Sequence, residues 1–217
     1  MKSEDAKPKR PRGRPRSFDR EAALERAMEV FWRSGFEGTS LHDLTEAMGI
    51  NPPSLYAAFG DKERLFLECV ERYQTKHGGA CPYEEEPTAR GAVAKLLLYM
   101  ATELTKPCNP RGCMMVMAAA TCSGSSEEMQ SALQERRKSS RAHVKARIER
   151  GIREGDVARD IDAAALADFY ATVISGMSMQ ARDGASKKSL IATVEAAMRA
   201  WPEAKPAGKT AKRAVTA

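Results

Sequence analysis

The sequence predicts an all-α fold of about nine helices. Apolar residues recur at intervals of three and four along most of the chain, which is the period of an amphipathic helix. No segment alternates apolar and polar residues in the manner of a strand, and no hairpin signal joins two such segments. Glycine or proline follows most of the periodic segments, so the helices are separated by short turns.

The first helix is expected to begin after Asp19, whose carboxylate can cap it, and to end at Gly35. A second, short helix follows Ser40, which has an acidic residue three positions on, and ends at Gly49. Asn51 can cap a third helix. Two prolines occupy the first turn of this helix, where their missing backbone N–H groups cost little. The fourth helix is predicted over residues 61–77.

The second half of the chain predicts longer helices with broad apolar faces, one of them apolar on nearly every side and therefore buried. A segment rich in Pro and Glu separates them from the first four helices. Their predicted ranges are 87–105, 110–122, 126–154, 162–183 and 186–201.

Length and composition suit a cytoplasmic protein with one small and one larger helical domain. The chain has 217 residues, of which 42% are hydrophobic. It contains no run of 18 apolar residues and no apolar stretch behind its N-terminal charges, so we expect neither a membrane partner nor a secretory signal. Its five cysteines lack paired metal-ligand spacing, so we expect reduced thiols, no metal and no cofactor.

The positive charge is concentrated in the two tails. The whole chain carries +6, residues 1–17 carry a net +5 and residues 202–217 a net +3, which leaves the region between them slightly negative. Both tails are expected to be disordered. A basic arm in front of a near-neutral globule favours contact with a polyanion, whereas the C-terminal tail is expected to serve solubility.

Two short helices joined by a tight turn at Gly49 form a helix-turn-helix pattern, which places its second helix in the major groove of DNA. Residues 18–66 resemble the DNA-binding domain of the TetR family, above all in the segment GFEGTSLHDLTEAMGINPPSLYAAFGDKERLF. The segments PRGCMMVMAAA, IREGDVARDID and ATVEAAMRAWP resemble the ligand domains of one branch of it. The resemblance implies a ligand-binding and dimerisation domain over residues 67–201.

Phosphate contacts are implied by the resemblance at Thr39, Tyr56 and Lys62, with the Ser40 hydroxyl at the same helix start as Thr39. The plainer alternatives are a half-buried tyrosine and a solvated lysine. Base contacts are expected from the exposed positions of the third helix. Because that helix has few polar groups, readout is expected to rely on thymine methyls and DNA shape. The candidates for base contact are Asn51, Pro52, Ser54 and Ala57.

The basic arm contains Pro11-Arg12-Gly13-Arg14-Pro15, which matches the core of an AT-hook. In such a segment, an extended Arg-Gly-Arg lies in a narrow minor groove. The position directly before a helix-turn-helix predicts that Arg12 and Arg14 reach the minor groove next to the operator contacts.

A homodimer on a near-palindromic operator is expected, because one short helix reads few bases. The last two helices are the predicted interface, although both stripes can instead pack inside their own subunit. The predicted interface residues are Phe169, Val173 and Gly176 on one helix, with Leu190, Val194, Met198 and Trp201 on the other.

An unknown small-molecule effector is the second expected partner. Methionines suit an adaptable apolar pocket, and the long helix has polar residues near its middle that can face one. The predicted pocket residues are Met100, Met114, Met117, Leu133, Ser140, His143 and Met177.

Three other functions compete with a ligand-responsive repressor. One is a thiol or metal sensor that uses the cysteines, and another is an architectural protein that binds AT-rich DNA without an inducer. An enzyme is the third, and it is disfavoured because the sequence has no HExxH, GxSxG, P-loop or GxGxxG motif. Repression is the usual action in the resembled family, and activation stays open.

Overall fold

The structure, a computed structural model, describes residues 18–78, 81–121 and 127–202. These residues form nine α-helices and no strand, which confirms the predicted all-α fold. The basic arm and nearly all of the C-terminal tail lie outside the described residues. The helices are α1 (Arg20–Ser34), α2 (Leu41–Met48), α3 (Pro52–Phe59), α4 (Lys62–Tyr73), α5 (Ala89–Glu103), α6 (Met114–Thr121), α7 (Glu127–Glu154), α8 (Ala163–Arg182) and α9 (Lys187–Arg199).

The first helices begin and end where their capping residues predict. The Asp19 carboxylate accepts hydrogen bonds from the first backbone N–H groups of α1. At the start of α2, Ser40 and Asp43 form a reciprocal capping box. Gly49 ends α2 in the left-handed conformation, with φ of +67°, which a residue with a Cβ adopts only at a cost. This glycine allows the sharp turn into α3.

A core of aromatic and aliphatic side chains holds α1 to α4 together. The rings of Phe31 and Phe36 both pack edge-on against the ring of Phe66, at centroid distances of 5.0 and 5.2 Å. Leu44 from α2 and Leu55 from α3 are fully buried against this group. As a result, α2 and α3 are fixed on a rigid base formed by α1 and α4.

The helix α4 runs across the predicted domain boundary at residue 66 without a break and continues into a π-helical turn, Gln74–Gly78. At this junction the Trp32 ring packs edge-on against Tyr73 and close to His77, at 4.8 and 5.2 Å. The Tyr73 hydroxyl lies 3.4 Å from the sulfur of Cys113. The first four helices are therefore packed directly against the second half of the molecule.

The larger domain is built from α5, α7, α8 and α9, with α6 between this group and the first domain. Its largest fully buried side chain is Tyr170, which packs 5.7 Å from the ring of Trp201 and donates a hydrogen bond of 3.4 Å to the carbonyl of Ala197. These contacts hold α8 and α9 against each other in one subunit.

The structure corrects the predicted dimer stripe on α9. Leu190, Val194, Met198 and Trp201 are all buried inside their own subunit, because α9 turns this face toward α5. The stripe is amphipathic as predicted, but its apolar face is already covered within one chain. It therefore presents no surface to a partner.

Candidate DNA-binding surface and effector cavity

The exposed face of α3 carries most of the predicted base-contact residues. Asn51, Pro52 and Ala57 are exposed, and Ser54 is half-buried. The Asn51 Oδ1 atom accepts a hydrogen bond of 2.9 Å from the backbone N–H of Ser54, which fixes the side chain at the start of the helix. The amide N–H groups of Asn51 are left for an external acceptor.

Tyr56 projects from the same helix with half of its surface exposed, 50%, although tyrosine is usually more covered than this. Leu55, next to it in sequence, is fully buried, so α3 turns Leu55 toward the core and Tyr56 toward solvent. Tyr56 is therefore exposed, as a phosphate contact requires, and is not the half-buried core tyrosine of the alternative interpretation.

Lys62 lies in the first turn of α4 with its ammonium group 4.3 Å above the ring of Phe36. This cation–π contact holds the side chain at the helix N-terminus, where the helix dipole also favours an anion. The contact joins residues 26 positions apart, and no local pattern in the sequence indicates it. The contact thus holds the ammonium group of Lys62 in a defined position.

The structure corrects the predicted role of the Thr39 hydroxyl. Thr39 is only 1% exposed, and its hydroxyl donates a hydrogen bond of 2.6 Å to the carbonyl of Gly35. The hydroxyl is therefore engaged in closing the end of α1. The neighbouring Ser40 is exposed, but its hydroxyl takes part in the capping box with Asp43.

One face of α8 lies open along the helix. Phe169 is 42% exposed, Gly176 is exposed with no atom within 4 Å of where a Cβ would lie, and Val173 is half-buried. Small residues of α9, Ala192 and Ala196, are also exposed. The exposed face of α8 and the exposed face of α9 therefore belong to the two helices that were predicted to form the dimer interface.

A cavity of about 430 Å³ lies between α6 and α7. Of the predicted pocket residues, Leu133 lines it, whereas Met114 and Met177 are buried in the core and Met100 and Met117 are half-buried elsewhere. Ser140 and His143 are exposed and do not line this cavity. Residues 138–143 of α7 are all exposed in the subunit.

Two of the described cysteines, Cys69 and Cys81, are poorly suited to a thiol sensor. Cys69 is fully buried, and burial raises the pKa of its thiol well above the usual value. Burial also raises the pKa of the Cys81 thiol. Both shifts oppose thiolate formation. Within the described ranges, no three His, Cys, Asp or Glu side chains are grouped to hold a metal ion.

A helix-turn-helix with an exposed second helix, joined through a continuous fourth helix to a larger helical domain, is the architecture of a one-component transcription regulator. Within the described part of the chain, no helix is both long and apolar enough to cross a membrane.

Comparisons with known proteins agree with this class. Residues 23–69 match the family model for bacterial regulatory proteins of the tetR family, and residues 90–201 match the model for the tetracyclin repressor-like C-terminal domain. The chain therefore belongs to the TetR family. It is a regulatory protein and not an enzyme, which confirms the resemblance and the function class predicted from the sequence.

Two relatives from Escherichia coli strain K12 are named as HTH-type transcriptional repressors. ComR is 36% identical over 199 residues, which cover 90% of this chain and 94% of ComR. BdcR is 32% identical over 186 residues, which cover 83% of this chain and 88% of BdcR. Both similarities extend through the DNA-binding domain and the larger helical domain.

Among solved structures, a cysteine-substituted form of the TetR family regulator CifR is 49% identical, with a TM-score of 0.83. The match covers 88% of this chain and all of that chain. That CifR structure is a complex with 26-bp double-strand operator DNA.

Proposed function

We propose that this chain is a repressor that binds a near-palindromic operator as a homodimer in the cytoplasm and is released by a small molecule. The observation that carries the proposal is the exposed face of α3, where Asn51, Tyr56 and Ala57 project from a helix held by a rigid base. The CifR complex with operator DNA and the two repressors from Escherichia coli support it.

The dimer surface that we propose combines the predicted stripe of α8 with the small exposed residues of α9. Phe169 supplies an exposed aromatic ring, and Gly176 permits a close approach of two helices. Ala192 and Ala196 leave room for a partner helix beside them. Two-fold pairing of these faces gives a self-complementary four-helix contact and sets the distance between the two α3 helices.

Operator contacts in this proposal are divided between three regions. Lys62 and Tyr56 bind phosphates, the exposed start of α3 with Asn51 reads base edges, and the basic arm with Arg12 and Arg14 enters the adjacent minor groove. The arm supplies most of the positive charge. Release follows when an effector favours a conformer in which the spacing of the two α3 helices no longer matches the half-sites.

The test is a gel-shift titration of the full chain with the DNA upstream of its own gene, at two salt concentrations, with a shuffled duplex as competitor. We expect tight binding that survives the competitor. A Tyr56→Ala variant should bind more weakly, whereas Leu98→Ala, at an exposed apolar position of α5, should bind like the parent. Binding that disappears equally with both competitor and salt would instead indicate a general DNA-coating protein.

A further inference from the structure

The helix α3, which is expected to read base edges, is held in place by few of its own side chains. Only Leu55 and Phe59 of its eight residues are buried. A helix of this length is marginally stable on its own, so its orientation depends on contacts with neighbouring elements. The Asn51 side chain fixes its first turn, whereas its last turn ends at Gly60, which has no side chain to cap it. The C-terminal end of α3 therefore needs support from elsewhere in the domain.

Arg20, the first residue of α1, supplies this support. Its Nε and Nη2 atoms donate hydrogen bonds of 3.4 and 3.3 Å to the carbonyl oxygen of Ala58, in the last turn of α3. Its guanidinium group also lies 4.4 Å from the centre of the Phe59 ring. A cation suits this position, because the last carbonyls of a helix have no partner within the helix and lie at the negative end of its dipole. Arg20 thus binds the end of α3 through both backbone and side chain.

Glu68 of α4 fixes the guanidinium group in this position. The Nη2 atom of Arg20 donates to both carboxylate oxygens of Glu68, at 2.6 and 2.9 Å. The two side chains are largely covered, with exposed fractions of 25% for Arg20 and 35% for Glu68. Solvent and salt therefore screen this charged hydrogen bond less than an ion pair on an open surface. As a result, α1, α3 and α4 are joined at one point by a single arginine.

We propose that Arg20 is a positioning residue for DNA recognition, which sets the angle at which α3 presents its exposed face to base edges. The proposal rests on the proposed function and names a determinant of the specificity of that site. The phosphate contact of Lys62 does not depend on Arg20, because the ring of Phe36 holds Lys62 at the start of α4. Loss of Arg20 should therefore reduce discrimination between DNA sequences more than it reduces general affinity for DNA.

Fluorescence anisotropy of the full chain, with the duplex from upstream of its own gene and with the shuffled duplex, measures the preference for the operator. Arg20→Met keeps most of the side-chain length but removes every donor. It should lower the preference about tenfold or more, because a displaced α3 misaligns its base contacts. The matched control is Arg33→Met, which removes the same charge near the other end of α1, where the Arg33 side chain is 65% exposed. It should keep the preference, and both variants should bind the shuffled duplex equally.

A second variant separates positioning from a direct phosphate contact. Glu68→Gln weakens the hold of α4 on the guanidinium group but leaves Arg20 in place, so it should also lower the preference. The double variant should lose no more than Arg20→Met alone, because the two side chains act as one unit. An arginine that binds phosphate would instead be freed by Glu68→Gln, which would tighten binding to both duplexes. In that case Arg20→Met would also lower the salt slope by about 1 on both duplexes, and either result would overturn the proposal.

Amide hydrogen exchange of the free protein tests the hold on α3 without DNA. In Arg20→Met, the last turn of α3 should exchange faster, including the N–H of Gly60, which is bonded to the carbonyl of Tyr56 at 3.0 Å. The helix α2 is the internal control and should exchange as in the parent, because Arg26 binds its last carbonyl, that of Met48, at 3.1 Å. Unchanged exchange in α3 would overturn the proposal.

The two proposals fail in different ways. If the parent prefers the upstream duplex and Arg20→Met keeps that preference, the repressor function stands and the positioning role fails, even if the Tm of the variant is lower. If the parent shows no preference for the upstream duplex, the repressor function fails and the role of Arg20 in recognition fails with it. Faster exchange in α3 together with a lost preference supports both.

Discussion

The indole Nε1 of Trp32 donates a hydrogen bond of 3.0 Å to the backbone carbonyl of Gly112, which joins α1 of the DNA-binding domain to the segment before α6. Gly112 has a φ of +84°, and a Cβ there would lie 3.1 Å from the carbonyl oxygen of Ser178. A second connection comes from Arg182 of α8, whose Nη1 donates to the carbonyl of Trp32 at 3.2 Å. Trp32 is thus held by two elements of the larger domain at once.

The first prediction concerns the stability of this junction. Trp32→Phe keeps an aromatic ring but leaves the buried Gly112 carbonyl without its donor, so the free energy of unfolding should fall by about 1 to 3 kcal/mol. Urea denaturation measures it. Arg182 binds the backbone carbonyl of the same residue. The losses of unfolding free energy caused by Arg182→Met and Trp32→Phe should therefore be non-additive in the double variant. Arg33→Met, which removes an exposed ion pair, is the control and should change the stability little. A double variant whose loss equals the sum of the two single losses would contradict the prediction.

The second prediction concerns pH and His77, at the same junction. Burial and the nearby Lys76 lower the pKa of His77 below its usual 6.5, and these effects outweigh Glu103, whose carboxylate lies 3.8 Å away. The unfolded chain therefore binds this proton more readily than the folded chain does. Stability should be at its full value above pH 6.5 and should decline as the pH falls below it.

Unfolding measured from pH 8 to pH 5 tests this prediction, because His77→Gln should flatten the decline. His143→Gln provides the control, since His143 is exposed on α7. An identical pH profile for the parent and His77→Gln would show that other groups cause the decline.

The sequence was sufficient to predict the helices and the helix-turn-helix, because their signals are local. Ser40 with Asp43 and the left-handed Gly49 each lie within a few residues of the helix end that they define. The cation–π contact of Lys62 with Phe36 depends instead on how separate helix ends meet, and the hydrogen bond from Thr39 to Gly35, although local, depends on the path of the turn between α1 and α2. A hydroxyl at a helix start looks the same in sequence whether it faces solvent or a neighbouring carbonyl.

The interface on α9 was mispredicted for a related reason. An amphipathic stripe such as that of Leu190 and Val194 shows that a face is buried, but not whether its own chain or a partner covers it. The position of α5 decides this question. Likewise, polar residues in the middle of α7, such as Ser140, indicate a pocket only if another helix lies opposite them.

The third prediction concerns Lys62 as a phosphate contact. Lys62→Gln should weaken operator binding and reduce the slope of log affinity against log salt by about 1, because one phosphate contact is lost. Gel shifts at four salt concentrations measure the slope. Lys145→Gln removes an equal charge on α7, where Lys145 pairs with Glu149 at 3.3 Å, and should leave the slope unchanged. Equal slopes for the parent and Lys62→Gln would exclude the contact.

The fourth prediction concerns the basic arm. Replacing both Arg12 and Arg14 with alanine should weaken operator binding and lower the salt slope by about 2, if each guanidinium displaces counterions from DNA. The loss should be greater on operators whose flanks are A·T-rich, where the minor groove is narrow. Lys209→Ala combined with Lys212→Ala removes two charges from the other tail as a control. Unchanged affinity and slope after the arginine replacements would refute the AT-hook interpretation.

The fifth prediction concerns the open face of α8. In one subunit, a side chain at Gly176 meets no atom within 4 Å of its Cβ position, so Gly176→Leu should leave the fold of each subunit intact. If two α8 helices approach there, each leucine collides with the partner helix, and overpacking of about 1 to 3 kcal/mol raises the dimer dissociation constant by about 5- to 150-fold. Sedimentation across a concentration series measures it.

Operator affinity should fall together with dimerisation in this variant, because a single α3 reads too few bases. Ala146→Leu places the same side chain on an exposed position of α7, away from the proposed interface, and should keep the parental dimer. A Gly176→Leu protein that remains dimeric at the parental concentration would show that the two subunits meet elsewhere. In that case the distance between the two α3 helices would be set by another pair of helices.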